Sequence, residues 1–366
     1  MTAPNYKRTK LACYTAYFTM SSVFSLPPLL FVTLHELYGI SYTLLGTLVL
    51  TNFCTQLTID LVFTFFSKHF NVAKTVRIMP ILTSLGMFLY ALSPLLLPEH
   101  TYLGLLLGTI IFSVSAGLSE VLLSPTIAAI PSGDPQKAMS FLHSLYAFGV
   151  VAIVAVSTLF LRLFGQENWM YLMMFLGLLP LIASILFMLS PIPEIPGENG
   201  SAGTATAKRK TLSLALFVAC IFFGSCAENV MSNWISSYTE TALHIDKAAG
   251  DLLGMAVFAV LLGMGRIAYS KFGKNIRPVL LGVGVAAYAL MAAGGDLGAS
   301  VAPQLMGVVI DKVSASAFGA ELAASLHLSV EQVGLKAGML VSAIFPFAGT
   351  VLILLMLRYF KKQRVL

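Results

Sequence analysis

The sequence predicts an all-α integral membrane protein of about ten transmembrane helices, and three observations carry that expectation. Of 366 residues, 57% are hydrophobic and only 10% charged, against about 25% charged in soluble domains, so the chain cannot clothe a water-facing surface. Its apolar runs repeatedly reach the ~20 residues needed to cross about 30 Å of hydrocarbon, and a helix satisfies its own backbone where no water can. The Lys and Arg residues gather in alternate connections, the charge asymmetry of a multi-pass protein.

Span one, 11–34, follows Lys7, Arg8 and Lys10; it is too long for a cleaved leader and lacks a small-residue cleavage site. Span two covers 41–66, and Lys68, Lys74 and Arg77 follow it. Spans three to six cover 76–97, 102–128, 139–163 and 169–190. The stretch "PIPEIPGENGSAGTATAKRK" (191–210) is a flexible linker with a basic end, joining a six-helix bundle over 1–190 to a shortened one of about four helices over 211–366. Spans seven, eight, nine and ten cover 211–238, 249–270, 279–310 and 336–359. As one helix, span nine is about 48 Å long; splitting it at Gly294-Gly295 would send the basic end "RYFKKQRVL" to the opposite face. A single long helix bent near the glycines is therefore expected, followed by a loop over 311–335 with some short-helix character. On this topology 18 of the 22 Lys and Arg residues share one face, leaving Arg162, Lys247, Lys312 and Lys336 on the other. That expectation puts both termini in the cytoplasm, in a bacterial inner membrane. The net charge of +6 is then topology and not a nucleic-acid footprint.

A faint repeat relates the two parts. "GISYTLLG" (39–46) opens span two and "HIDKAAGDLLG" (244–254) opens span eight; "SKHFN" and "SKFGKN" close them. "AMSFLHSLYAFG" (138–149) enters span five as "VAAYALMAAGGDLG" (285–298) enters span nine. The order is the same in both parts, as in transporters built from repeated halves.

With "LPPLLFVTL" (26–34), "NFCTQLTIDL" (52–61), "GLSEVLLSP" (117–125), "LHSLYAFG" (142–149), "AENVMSNWISSYTE" (227–240), "DLLGMAVFAVLLGMGR" (251–266) and "AGGDLGASVAPQLMG" (293–307), the chain resembles the major facilitator superfamily, and more closely its sugar-transporter-like bacterial branch. The resemblance implies two six-helix bundles around a central cavity that is opened to each side in turn. The chain departs from the family's pattern: the loop after span two, "SKHFNVAK", lacks the acidic and glycine positions. It also enters what resembles family span eleven almost directly after Arg277, so one hairpin, family spans nine and ten, is missing. Family span ten lines the cavity. The expected function is proton-coupled transport of a sugar or similar small polar solute; the alternative is a truncated, transport-incompetent membrane protein with a binding or regulatory role.

Ionisable groups inside a bilayer cost roughly 2.5–3.5 kcal/mol each on insertion scales and face a cavity or a partner. Asn52, Gln56 and Asp60 recur every fourth residue of span two and line one face: either a hydrogen-bonding wall for a polyhydroxylated solute with Asp60 as proton site, or a clamp between helices. Glu120 in span four and His143 in span five lie at a similar depth to Asp60, so the three either hold one proton or form a static gate. Span seven carries Glu228, Asn229, Ser232, Asn233 and Trp234. An indole beside carboxamides and a carboxylate suits a sugar ring; the bland reading is an interfacial tryptophan anchor. Asp296 sits among Gly294, Gly295 and Gly298, which let another helix approach closely; a gate role with Arg266 is favoured over substrate contact.

No glycine-rich phosphate loop with lysine occurs, so nothing supports an ATP-driven pump or an enzyme. The scattered histidines offer no metal-ligand spacing. Cys13, Cys54, Cys220 and Cys226 fall within spans and read as small hydrophobes. No cofactor is expected; the partners are a polar solute, the proton and the lipid bilayer, with the oligomeric state left open.

Overall fold

The computed structural model describes residues 5–66, 70–131, 135–193, 207–261, 264 and 285–362. Every long element there is helical. Span one is two helices, α1 (Lys7–Leu29) and α2 (Phe31–Tyr38), meeting at 47°. Pro27 and Pro28 end α1; each lacks an N–H and crowds the preceding turn, so the helix bends there. Gly39, at φ +63°, closes α2. Then come α3 (Tyr42–Phe66), α4 (Val72–Leu96), α5 (Thr101–Ala128), α6 (Pro135–Phe164) and α7 (Trp169–Met188). The later part holds α8 (Ala207–Ser237), α9 (Lys247–Gly250) running into a π-helical turn (Asp251–Ala256), α10 (Val285–Ser314), α11 (Ala317–Leu326), α12 (Val330–Ser342) and α13 (Ile344–Lys362).

Among the described residues seven helices are long and apolar enough to span, and the bent pair makes eight; α10 adds a 30-residue helix roughly 45 Å long. The expected span eight falls outside the described residues from 265 onward, as does span nine before 285. Two boundaries differ from expectation. The third span starts at Val72 because the Asn71 side chain accepts the Lys74 N–H (3.0 Å), which places Lys74 and Arg77 inside α4. Arg77 donates to the Phe187 (3.3 Å) and Ser190 (3.4 Å) carbonyls, the last turn of the sixth span. The expected loop over 311–335 is narrower: α10 continues to Ser314, and a reciprocal Ser329–Gln332 capping box starts α12 at Val330. The short-helix character is α11. Of the cysteines, Cys54 is exposed and Cys220 half-buried, so only Cys13 and Cys226 behave as core residues.

The packing repeats between the halves. In the first, α1 packs on α6 and α7; in the second, α8 packs on α10 and α13. Across the seam α3 meets α10, and α6 meets the π-turn that opens span eight. Helices two and nine thus pair, as do five and eight, which is what the sequence repeat implies. The first half contains one further layer, α4 on α5, backed by α7 and α3; no counterpart of that pair occurs among the described residues of the second half. Burial follows: 56% of the α5 span window is buried, against 17% for the α12–α13 span and 11% for α8.

The α4–α5 contact is backbone on backbone. A Cβ at Gly108 would lie 2.7 Å from the Tyr90 nitrogen, whereas one at Gly224 meets nothing within 4 Å. Gly108→Ala is therefore expected to destabilise by ~1–3 kcal/mol through overpacking, while Gly224→Ala raises stability slightly through helix propensity. Thermal unfolding in detergent checks the pair; equal effects would contradict this packing.

Candidate functional site: the seam between the halves

Two ends of the bundle organise the site: the terminal end, carrying Lys7, Asn71 and Lys362, and the far end, carrying Gly39, Gly165 and Ser316. Midway, the predicted stripe on α3 exists, and part of it is already bonded. The Asn52 Oδ1 accepts from Gln56 Nε2 (2.9 Å) and from Ser113 Oγ of α5 (2.7 Å). On α8, Asn229 Nδ2 donates to the Ser225 carbonyl (3.0 Å), Asn233 Nδ2 to the Asn229 carbonyl (2.8 Å), and Ser232 Oγ lies 3.4 Å from the same carbonyl. Asn52 and Asn233, one from each half, line a single small cavity with Phe24, Pro28, Phe31 and Phe112. Its volume is about 20 Å³, room for one water.

Trp234 is fully buried, its indole N–H donates to the Pro303 carbonyl of α10 (3.1 Å), and its ring meets Phe31 at 5.1 Å and Tyr42 at 5.8 Å. In this conformation it is a strut across the seam with no open stacking face. Glu228 is half-buried on the same helix.

Toward the terminal end, the carboxyl groups of Asp60 of α3 and Asp296 of α10 lie within interaction distance, and Glu120 of α5 is within electrostatic reach of both. A carboxylate can only accept, so a direct bond between the two carboxyls would need a proton between them. Glu120, on the same side of the seam, has an exposed side chain. His143 stands on that side too, its Nδ1 2.7 Å from the Tyr17 hydroxyl and its ring edge-on to Tyr17 at 5.2 Å. The glycines beside Asp296 do what their spacing implied: a Cβ at Gly294 would lie 2.7 Å from Val218 Cγ1, and one at Gly298 would strike the Phe222 carbonyl, so α10 rides directly on α8. Arg266, the expected partner of Asp296, lies outside the described residues.

The far end holds groups that the sequence reading passed over. Lys247 Nζ donates to the Leu29 carbonyl (2.9 Å), the one freed by the break in span one, and reaches Glu240 (3.3 Å) and Asp251 (3.6 Å). Asp251, 1% exposed, also accepts from Ser236 and from Thr158 of α6 (3.2 Å). Gln166 links Glu240 to Thr33. Lys247 is thus a buried tie between halves and not a free cation in a loop. The signal was present: Lys247 and Asp251 are four residues apart, at helical ion-pair spacing, and Asp251 begins an apolar run. At the other far-end contact, Asp311 of α10 accepts from the Tyr42 (3.2 Å) and Thr43 (2.6 Å) backbone N–H groups, and the Tyr42 hydroxyl donates to Glu331. No local pattern connects residues 42 and 311.

Two bundles in pseudo-symmetric contact, sealed at one end and lined by carboxyls at the other, form the scaffold on which a family assignment rests. The profile of the Major Facilitator Superfamily matches residues 12–356. The chain belongs to this superfamily. Among solved structures, it is similar in fold to a bacterial homologue of the human lysosomal transporter Spinster in an inward-facing, occupied conformation (TM-score 0.64, 13% identity, 99% of each chain covered). It is also similar to the inward-open xylose transporter XylE from E. coli (0.60, 14%, 92% of this chain and 95% of that one) and to a D-xylose–proton symporter (0.60, 16%, 93% and 89%). No match is found among curated proteins.

Removing Lys247 leaves buried Asp251 and half-buried Glu240 without their shared cation. Lys247→Met is expected to cost about 3–5 kcal/mol, the penalty for a broken buried pair, whereas Trp234→Phe, which removes one N–H bond and keeps the ring, costs about 0.5–1.5 kcal/mol. Thermal unfolding of both variants in one detergent measures the ranking, and the reverse order would refute the buried tie.

Proposed function

We propose that this major facilitator is a proton-coupled secondary transporter of a small polar solute, sugar-like in size and hydrogen bonding, working by alternating access. The observation that carries the proposal is the approach of Asp60 and Asp296, one carboxyl from each half, with Glu120 nearby; on this reading the two carboxyls share a proton. When the proton leaves, two negative charges face each other in a medium of low dielectric and repel, so proton release and separation of the halves are one event. Asn52 and Asn233 supply carboxamides from opposite halves at the closed centre, the position a polyhydroxylated solute would bridge once the halves part. The Lys and Arg distribution supports a reading with both termini in the bacterial cytoplasm, in which the three carboxyl groups lie toward the inner face. No enzymatic activity is assigned.

The second reading, a membrane protein that binds without transporting, is favoured by the low burial of α8, the helix that carries Glu228 and Asn233. Thermal unfolding against sugars, sugar acids, amino acids and nucleosides separates ligand classes, because a ligand bound only by the folded state raises the melting temperature by mass action. With the shifting ligand, proteoliposomes are expected to show solute uptake coupled to proton flux. Asp60→Asn and Asp296→Asn should uncouple the two or abolish both, while ligand binding falls less than about tenfold. A well-folded preparation that binds a ligand and moves neither solute nor proton would overturn the transporter proposal in favour of the second reading.

A further inference from the structure

At the far end, α3 begins with its first backbone N–H groups shared between two sources. Ser41, just before the helix, accepts from Leu44 N–H (3.3 Å). The Tyr42 and Thr43 N–H groups are taken by both carboxylate oxygens of Asp311, which stands in α10, in the other half of the molecule. The first N–H groups of a helix have no partner within it, and a carboxylate there also complements the positive end of the helix dipole. Two glycines bring the helices close enough for this contact: a Cβ at Gly46 would lie 2.9 Å from Gln304 Oε1 and 3.1 Å from the Gln304 Cα, and one at Gly307 would strike the Tyr42 carbonyl. Around the cap, Tyr42 stacks on His35 at 4.4 Å and its hydroxyl donates to Glu331, whose carboxylate lies 3.7 Å from His35.

We propose that Asp311 is a latch on the far gate: a helix cap lent by one half to the other, present only while that end is closed. Ser41 travels with α3 and caps it in every state of the transporter. Asp311 travels with α10, so opening the far end strips Tyr42 and Thr43 of their acceptor and exchanges it for water. The cap therefore weights the equilibrium toward the closed far end, whereas Ser41 weights only folded against unfolded. This inference rests on the alternating-access reading for its motion and on no particular solute.

Pulsed electron-spin distance measurement between nitroxides at Glu99 and Glu321, exposed far-end positions on opposite halves, tests it in a background with the four cysteines replaced by alanine. The parent should give a predominantly short distance. Asp311→Ala should add a longer component, a shift of roughly 5–30-fold in the closed-to-open ratio, the effect of one lost cap. Asp311→Asn, which keeps the shape and one acceptor oxygen, should fall between, and it carries the test should the alanine variant fail to fold. Ser41→Ala should lower the melting temperature and leave the distance distribution unchanged. Unaltered distances in Asp311→Asn and Asp311→Ala, or a shift in Ser41→Ala as large as theirs, would overturn the latch. Because no solute is needed, a chain that moves nothing across a vesicle still reports on the latch, and a chain that transports with insensitive distances overturns the latch alone.

Discussion

The close approach of α3 and α10 is the constraint on which the rest of the structure depends. Bilayer helices gain no hydrophobic advantage from touching each other rather than lipid, so association rests on dispersion contacts and polar bonds between closely packed backbones. Gly46 and Gly307 let these two backbones meet. Once they do, Asp311 reaches the head of α3, and Asp60 faces Asp296 nearer the other end. One helix pair therefore joins the halves at two levels, and beside it Trp234 of α8 sets its ring on Phe31 and Tyr42.

The two ends of the seam hold charge in opposite ways. At the far end one lysine is shared by two acids among hydroxyl donors, and another acid serves a helix terminus, so polar contacts tie the halves there. Toward the terminal end, Asp60, Asp296 and Glu120 lie within electrostatic reach of one another, so acids approach acids there. The proposed proton coupling rests on that contrast between the two ends.

The halves are also unequal in bulk. The α4–α5 layer backs α3 and α7 in the first half, while α13 carries mostly exposed residues and α8 mostly half-buried ones. Apolar residues such as Phe347, Val351 and Leu354 on α13 suit lipid, so the outward face is compatible with the bilayer. The polar groups of α8 bond chiefly within their own helix, Asn229 to Ser225 and Asn233 to Asn229, which lowers the penalty of leaving that helix thinly covered.

Local pattern sufficed for much of this molecule, because a bilayer imposes simple rules. The length of apolar runs anticipated most of the spans among the described residues, and the repeat of "GISYTLLG" with "HIDKAAGDLLG" anticipated that α3 and the start of span eight play matching parts across the seam. Asp60, Glu120 and Asp296 stood out because charge is rare at that depth. The sequence did not reveal that Asp60 and Asp296 approach each other, that Trp234 is a buried strut, or that Lys247 and Asp311 tie the halves. Those facts depend on which residues two hundred or more positions apart become neighbours, and helical periodicity says which face a residue occupies without saying what will face it. By itself the sequence determined a multi-pass helical protein in two related halves; the tertiary structure alone decided which charges meet, since hydrogen bonds and ion pairs act over a few ångströms and helix packing sets those distances.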